Sequence, residues 1–259
     1  ALPIYASFHG GQWISRRVAA PTASDNPAVT VMKLVFPPRD VPTVPIVGLE
    51  VRFPVHHVFC VTRNYDARAA QPGGFRSPEE PAIFTKQPSA VIADGGTISY
   101  PPATTHFEPE TELVVAIGSR LAGGDLAAAK AAIYGYAVGL DMTRRDLQKA
   151  ARSAGKPWDT AKWFEGCAPV SAIRRASDIG HPVRGAITLD VNGKRSQEGD
   201  LSQMMWPAAE VVALVSRYVT LEAGDLLFTG TPSGEVILNR GDRLAAVIAG
   251  VGALNVEIV

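Results

Sequence analysis

Apolar residues in this chain fall in short runs and seldom at helical spacing. Val58 to Thr62 is apolar and β-branched, which predicts a buried strand. Further strands are expected at Glu112 to Ile117, Tyr136 to Leu140, Ala186 to Val191 and Leu226 to Phe228, with two closing strands between Arg243 and Val259. Helices are few. Asp125 suits the N-cap of a short helix through Ile133. Thr143 and Asp146 stand at capping-box spacing ahead of a helix ending near Ser153. Pro207 suits the first turn of a helix through Arg217. Residues 66–80 hold Gly and Pro breaks and no apolar stripe, so they read as a mobile loop or lid. Many short strands with few helices predict a β-rich α+β fold of several layers.

The texture changes along the chain. Its first part is rich in Pro and Thr with short β-like runs such as Val29 to Phe36. Residues 1–52 are therefore expected to form a small N-terminal β segment and connector, and residues 53–259 the main domain. A length of 259 residues, 46% of them hydrophobic, supports a full-sized core. Lys plus Arg and Asp plus Glu are both 25. That balance argues against a nucleic-acid partner or an attraction to anionic membranes. Cys60 and Cys167 lie far apart, forming neither a disulfide framework nor a CxxC metal site. No secretory signal pattern and no apolar stretch of about 18 residues occurs, so a soluble cytoplasmic protein without a membrane partner is expected.

Candidate chemistry concentrates in Glu110-Thr-Glu112-Leu-Val-Val-Ala-Ile117. Residues two apart on a strand share a face, so Glu110 and Glu112 present two carboxylates side by side. They repel unless a cation sits between them, and hard oxygen ligands suit Mg, Mn or Ca rather than Zn. The same spacing also suits two exposed glutamates on an edge strand. The apolar run Tyr134 to Leu140 ends abruptly in Asp141, a charge that needs a partner if it is covered. Asp141 either joins the two glutamates around a cation or helps to cap the following helix.

HFEPETELVVAIG, GYAVGLDMTRRDLQ, KPWDTAKWFEGCAPVSAI, LDVNGKRSQEGDLSQMMW and GDLLFTGTPSG occur in this order. Together they resemble the fumarylacetoacetate hydrolase family, most closely its acylpyruvate and fumarylpyruvate hydrolases, over residues 53–259. The resemblance implies a β-roll of mixed sheets with few short helices and a homodimer. It implies a Mg or Mn ion on Glu110, Glu112 and Asp141, and a small 2-oxo acid substrate cleaved at a C–C bond to give pyruvate. It places Lys162 and Gln148 in catalysis, and Arg63, Tyr65, Lys86, Arg145 and Thr231 against the substrate. Physical chemistry agrees on several of these. Gln148 lies two helical turns beyond Asp141. A lysine among aromatic neighbours stabilises a developing enolate oxygen. The Arg145 fork suits a carboxylate. Thr229 and Thr231 resemble the family's substrate-oxygen loop, although a tight turn has the same composition.

One departure stands out. Hydrolytic members carry a His followed three positions later by an acid on the lid, and that pair activates water. Here those positions are Arg68 and Gln71. Arginine is no general base near neutral pH. Arg68 is expected instead to grip a distal carboxylate, with Asp66, Glu79 or Glu80 replacing the dyad. Alternatives are decarboxylation or tautomerisation without an activated water, or a catalytically weak paralogue that binds metal and ligand. Glu235, near the threonine loop, adds a charge close to the expected pocket.

Overall fold

A computed structural model describes residues 5–9, 12–16, 35–37, 39–93, 96–234 and 236–259. The chain divides into two compact units, Ala1–Asp40 and Val41–Val259. In the first, Tyr5–His9 pairs antiparallel with Gln12–Arg16, with Phe8 opposite Trp13. Most of the predicted run Val29 to Phe36, and Glu235, lie outside the described residues.

The larger unit is strand-rich, with short helices around two main sheets and two small two-stranded ones among the described residues. The first sheet runs in the order Ile83–Lys86, Val58–Val61, Leu226–Phe228, Thr111–Ile117, Ile133–Leu140, Ala168–Val170, Val91–Ala93. It is mixed. Leu226–Phe228 pairs parallel with Val58–Val61, and Ala168–Val170 parallel with Val91–Ala93, among antiparallel neighbours. Its central strand Thr111–Ile117 is buried at every position, which explains its unbroken apolar run. The second sheet is Lys194–Asp200, Ala186–Val191, Arg243–Ile248, Gly252–Ile258 and Thr97–Ile98. Ala186–Val191 alternates buried and less buried positions, as a sheet with one covered face requires. Apolar residues of both sheets share one core.

Strand pairing assembles the acidic residues. Thr111 faces Leu140 and Glu112 faces Gly139 across an antiparallel ladder. The Asp141 amide then donates to the Glu110 carbonyl at 2.8 Å. The carboxylates of residues 110, 112 and 141 therefore meet at the same end of two neighbouring strands. Gly139 makes the approach possible, since a Cβ there would lie 2.5 Å from Val114 Cγ2 and 2.6 Å from Phe228 Cε1.

The helix expectations hold with one correction. Asp125 caps Leu126–Ala132 by accepting from the Ala128 amide at 2.8 Å. Pro207 precedes Ala208–Ser216. The capping box at Thr143 is absent. Helix Arg145–Ser153 starts two residues later, and no side chain caps it. Thr143 and Arg144 instead pair as a short strand with Phe107–Glu108. The Asp146 carboxylate is drawn to the Thr104 hydroxyl and the Thr105 amide. The capping groups are thus claimed by tertiary partners. The short helix Asp159–Lys162 carries too little periodicity to stand out in sequence. Among the described residues no helix is long and apolar enough to cross a membrane.

Candidate active site

Glu110, Glu112 and Asp141 each offer an oxygen within 4.8 Å of the others. Two lysines reach the same point. Lys162, at the end of its short helix, places Nζ 2.5 Å from Glu110 Oε2, 2.5 Å from Asp141 Oδ2 and 2.7 Å from the Thr143 hydroxyl. Lys86 ends the edge strand Ile83–Lys86, with Nζ 2.8 Å from Asp141 Oδ1. Lys86 Nζ also donates to the Lys162 and Met142 carbonyls, so Asp141 Oδ1 has the buried Lys86 ammonium as its partner.

Helix Arg145–Ser153 supplies the opposite wall. Its single buried residue is Gln148, the polar side chain expected to face the site. Gln148 Oε1 accepts from Arg145, whose guanidinium also donates to Glu108 at 2.5 Å and to Glu110 at 2.7 Å. Glu108 is buried and also contacts His106. Glu108 is not among the residues expected at the site, yet the alternation Glu108, Glu110, Glu112 marks it in the sequence.

Electrostatics single out Glu112. Burial raises its pKa well above the usual carboxylate range, and the charges of Asp141 and Glu110 raise it further. Among the described residues its one hydrogen bond comes from the Gly230 amide at 2.7 Å. For Glu110, burial acts upward, but the charges of Lys162 and Arg145 outweigh it and hold the group low. Burial alone would lower Lys162, whereas Asp141 and Glu110 raise it and keep it charged. Four carboxylates (Glu108, Glu110, Glu112 and Asp141) thus face three cations (Lys86, Lys162 and Arg145). A clustered excess of hard oxygen donors, with no cation paired to Glu112 among the described residues, fits a Mg or Mn ion.

The carboxylates open into a cavity of about 410 Å³, within the usual range for small-molecule sites. Arg63, Tyr65, Arg145, Gln148, Lys162 and Thr231 all line it. The Tyr65 hydroxyl is buried without a partner, and burial raises its pKa. Thr231 is held by the Gln197 amide at 3.2 Å. Thr229 instead donates to the Leu113 carbonyl at 2.8 Å, a structural bond within the sheet. Gly230 between them takes φ of 89°, and a Cβ there would lie 2.9 Å from Asn64 Cβ. Lys86 acts beneath the floor of the cavity, against Asp141, and is not among its lining residues.

The lid residues lie elsewhere. Arg68 is exposed, paired with Asp66 at 2.7 Å and stacked over Phe75 at 3.7 Å. Neither it nor Gln71 lines the cavity. In this arrangement the Arg68 charge is satisfied two residues away, by Asp66. Glu80 is engaged by Arg217 and Tyr218, and Glu79 is exposed. A second cluster, His56, His57 and Asp225, is closed on itself. The buried Asp225 Oδ1 lies 3.0 Å and 3.2 Å from the two Nδ1 atoms and accepts the His57 amide.

Comparison with known proteins agrees with this geometry. Residues 57–259 match the family described as Fumarylacetoacetate (FAA) hydrolase C-terminal. A fumarylpyruvate hydrolase of Ralstonia sp is 39% identical over 183 residues, covering 71% of this chain and 95% of that protein. The oxaloacetate tautomerase of Escherichia coli is 35% identical over 213 residues, covering 78% of this chain and 93% of that protein. The crystal structure of fumarylpyruvate hydrolase from Pseudomonas aeruginosa, in complex with Mn2+ and pyruvate, superposes with a TM-score of 0.82. It shares 42% identity, covering 88% of this chain and 99% of that one. With its strand order, its paired carboxylates and this similarity over most of its length, the chain belongs to the fumarylacetoacetate hydrolase family.

Proposed function

We propose that this chain hydrolyses the C–C bond of an acylpyruvate such as fumarylpyruvate, releasing pyruvate, with Mg or Mn held by Glu110, Glu112 and Asp141. The observation that carries this reading is the convergence of three carboxylates and Lys162 on one cavity, which also holds the buried, unpartnered Tyr65 hydroxyl. A divalent cation there supplies Lewis acidity to the 2-oxo acid head. Arg145 and Gln148 orient the head carboxylate. Lys162 stabilises charge on the 2-oxo oxygen as an enolate develops. The hydroxyl of water adds to the distal acyl carbon. The C–C electron pair passes to C3 of pyruvate, which takes the remaining proton. Val61 and Phe84 offer an apolar wall for the acyl chain. The reading includes a cytoplasmic homodimer, checked by sedimentation and fractionation.

A second reading is favoured by the lining itself. Among the described residues it holds no His, and no carboxylate beyond Glu110, Glu112 and Asp141. An enolate-stabilising site without a water-activating base suits tautomerisation or decarboxylation of oxaloacetate. The deciding experiment follows pyruvate release from fumarylpyruvate and ketonisation of enol-oxaloacetate, with Mn and after chelation. Metal-dependent pyruvate release supports hydrolysis. Ketonisation or CO2 release without it supports the second reading, and no turnover of either substrate leaves a metal-binding paralogue.

A further inference from the structure

The cations lining the cavity form two sets. Lys162 and Arg145 are neutralised by Glu108, Glu110 and Asp141. Arg63, Lys149 and Arg152 line the same cavity, and among the described residues none of them makes an ion pair or donates a side-chain hydrogen bond. Like charges gathered without counterions repel one another, so their arrangement is favourable only if an anion visits them.

Two features show that the cluster is held in place. Arg63 takes φ of 53°, an uncommon conformation for a residue with a side chain. Its neighbour Asn64 enforces it. The buried Asn64 amide donates to the Trp206 and Thr229 carbonyls at 2.8 Å each and accepts the Trp206 amide at 2.8 Å. The Arg152 guanidinium stacks on the Trp158 ring, 4.3 Å from its centroid. Lys149 and Arg152 follow Gln148 on the helix whose first turn carries Arg145. Burial lowers the Arg152 pKa, and the charges of Arg63 and Arg145 lower it further.

We propose that Arg63, Lys149 and Arg152 form an anion subsite that takes the distal carboxylate of a dicarboxylic 2-oxo acid whose head lies at Glu110, Glu112 and Asp141. The subsite rests on the 2-oxo acid reading above. It moves the distal grip expected of Arg68 to residues that line the cavity. Arg63 and Arg152 each bring a planar fork suited to a carboxylate. Unlike a hydrophobic end wall, this subsite discriminates against neutral acyl chains by leaving its cations without a partner.

The test compares two acids of equal chain length, 2-oxoadipate and 2-oxohexanoate, which differ in a terminal carboxylate against a terminal methyl. Their affinities for the Mn-loaded full chain are measured by calorimetry at low and high salt. The wild type is expected to favour 2-oxoadipate by about tenfold or more, as a charge-assisted contact allows, with the preference shrinking at high salt. Arg152→Met keeps an apolar stem on Trp158, and Arg63→Asn tolerates the positive φ. In either variant the affinity ratio should fall toward one. Two independent variants guard against one that fails to fold. A wild-type ratio near one, or a ratio unchanged in both variants, overturns the subsite while the 2-oxo acid reading stands. Binding of neither acid overturns both.

Discussion

The cations at the carboxylate end of the cavity are paired across the fold, whereas Arg68, on the loop beyond Tyr65, satisfies its charge locally. Lys162 reaches residues 110 and 141, and Arg145 reaches residues 108 and 110, all held by strands or by a helix packed on them. Among the described residues Arg68 reaches Asp66 and Phe75 alone. The first arrangement is buried and over-determined, so removing one member strands the others. The second is exposed and self-contained, so removing one member strands nothing. The scaffold therefore fixes the chemistry, and the loop can vary around it.

The sharpest way to break this contrast is to remove a carboxylate. Asp141→Ala and Glu110→Ala should each weaken Mn binding by about 100-fold or more and abolish turnover, since a hard cation relies on few protein oxygens. Calorimetric titration reads the loss. Unchanged affinity in both variants would remove the proposed metal site.

Lys162→Met comes next. In the metal-free protein it removes the cation that Glu110 and Asp141 share but leaves Arg145 on one and Lys86 on the other, so the loss should stay below the penalty of about 3–5 kcal/mol for a wholly unpaired buried charge. Mn should restore much of that loss, because the ion then supplies the missing charge. Turnover should stay about 100-fold down even when the metal is bound. Thermal melts with and without Mn, alongside kcat, separate the two effects. A variant equally stable in both states and fully active would make Lys162 a bystander.

A steric pair extends the contrast to the backbone. Gly139→Ala places a methyl against Val114 and Phe228 beside Glu112, and overpacking of this kind costs about 1–3 kcal/mol. Gly73 in the loop has φ of 92° and no neighbour within 4 Å. Gly73→Ala therefore carries only backbone strain, about 1–2 kcal/mol. Turnover by the Mn-loaded protein should fall for Gly139→Ala and stay near wild type for Gly73→Ala. Equal losses of turnover would mean that the strand register does not control the site.

The legibility of the chain follows the same division. The strand Thr111–Ile117 and the junction Leu140–Asp141 were readable because burial on both faces leaves an unbroken apolar run, and a charge at its end is conspicuous. The ordered motifs extended that reading to Gln148, Lys162 and Thr231, which the fold brings to one cavity. The false capping box at Thr143 shows the limit. Local spacing is shared by a cap and by a tertiary hydrogen bond, and here Lys162 and Glu110 claim Thr143. Glu108, Lys149 and Arg152 escaped notice because a charged residue on a helix or strand end is ordinarily a solvated one. Only their convergence in three dimensions distinguishes them.

The smallest expected effect concerns Arg68. Its place in the sequence suggested contact with substrate, but its guanidinium is committed to Asp66 through two hydrogen bonds, at 2.9 Å and 2.7 Å. The Arg68 side chain and backbone bonds depress the Asp66 pKa to about 2 from its ordinary value of 3.8. A depressed carboxylate contributes order above its unfolded pKa and loses it as the pH falls through the folded value. The pair should therefore hold throughout the neutral range and open only below about pH 3–4. Arg68→Ala should change KM for a dicarboxylic substrate by less than about twofold, the scale of an exposed contact. It should also leave the pH profile of kcat unaltered between about pH 5 and 8, where Asp66 stays ionised. A larger rise in KM, confined to dicarboxylic substrates, would show that the loop closes over the cavity during turnover. It would also show that Arg68 exchanges Asp66 for the substrate. Arg68→His combined with Gln71→Glu then becomes informative, since only a loop that closes could bring a water-activating pair to the acyl carbon. If that double variant gains no hydrolysis while Arg68→Ala is silent, the loop takes no part in the chemistry and the scaffold carries it alone.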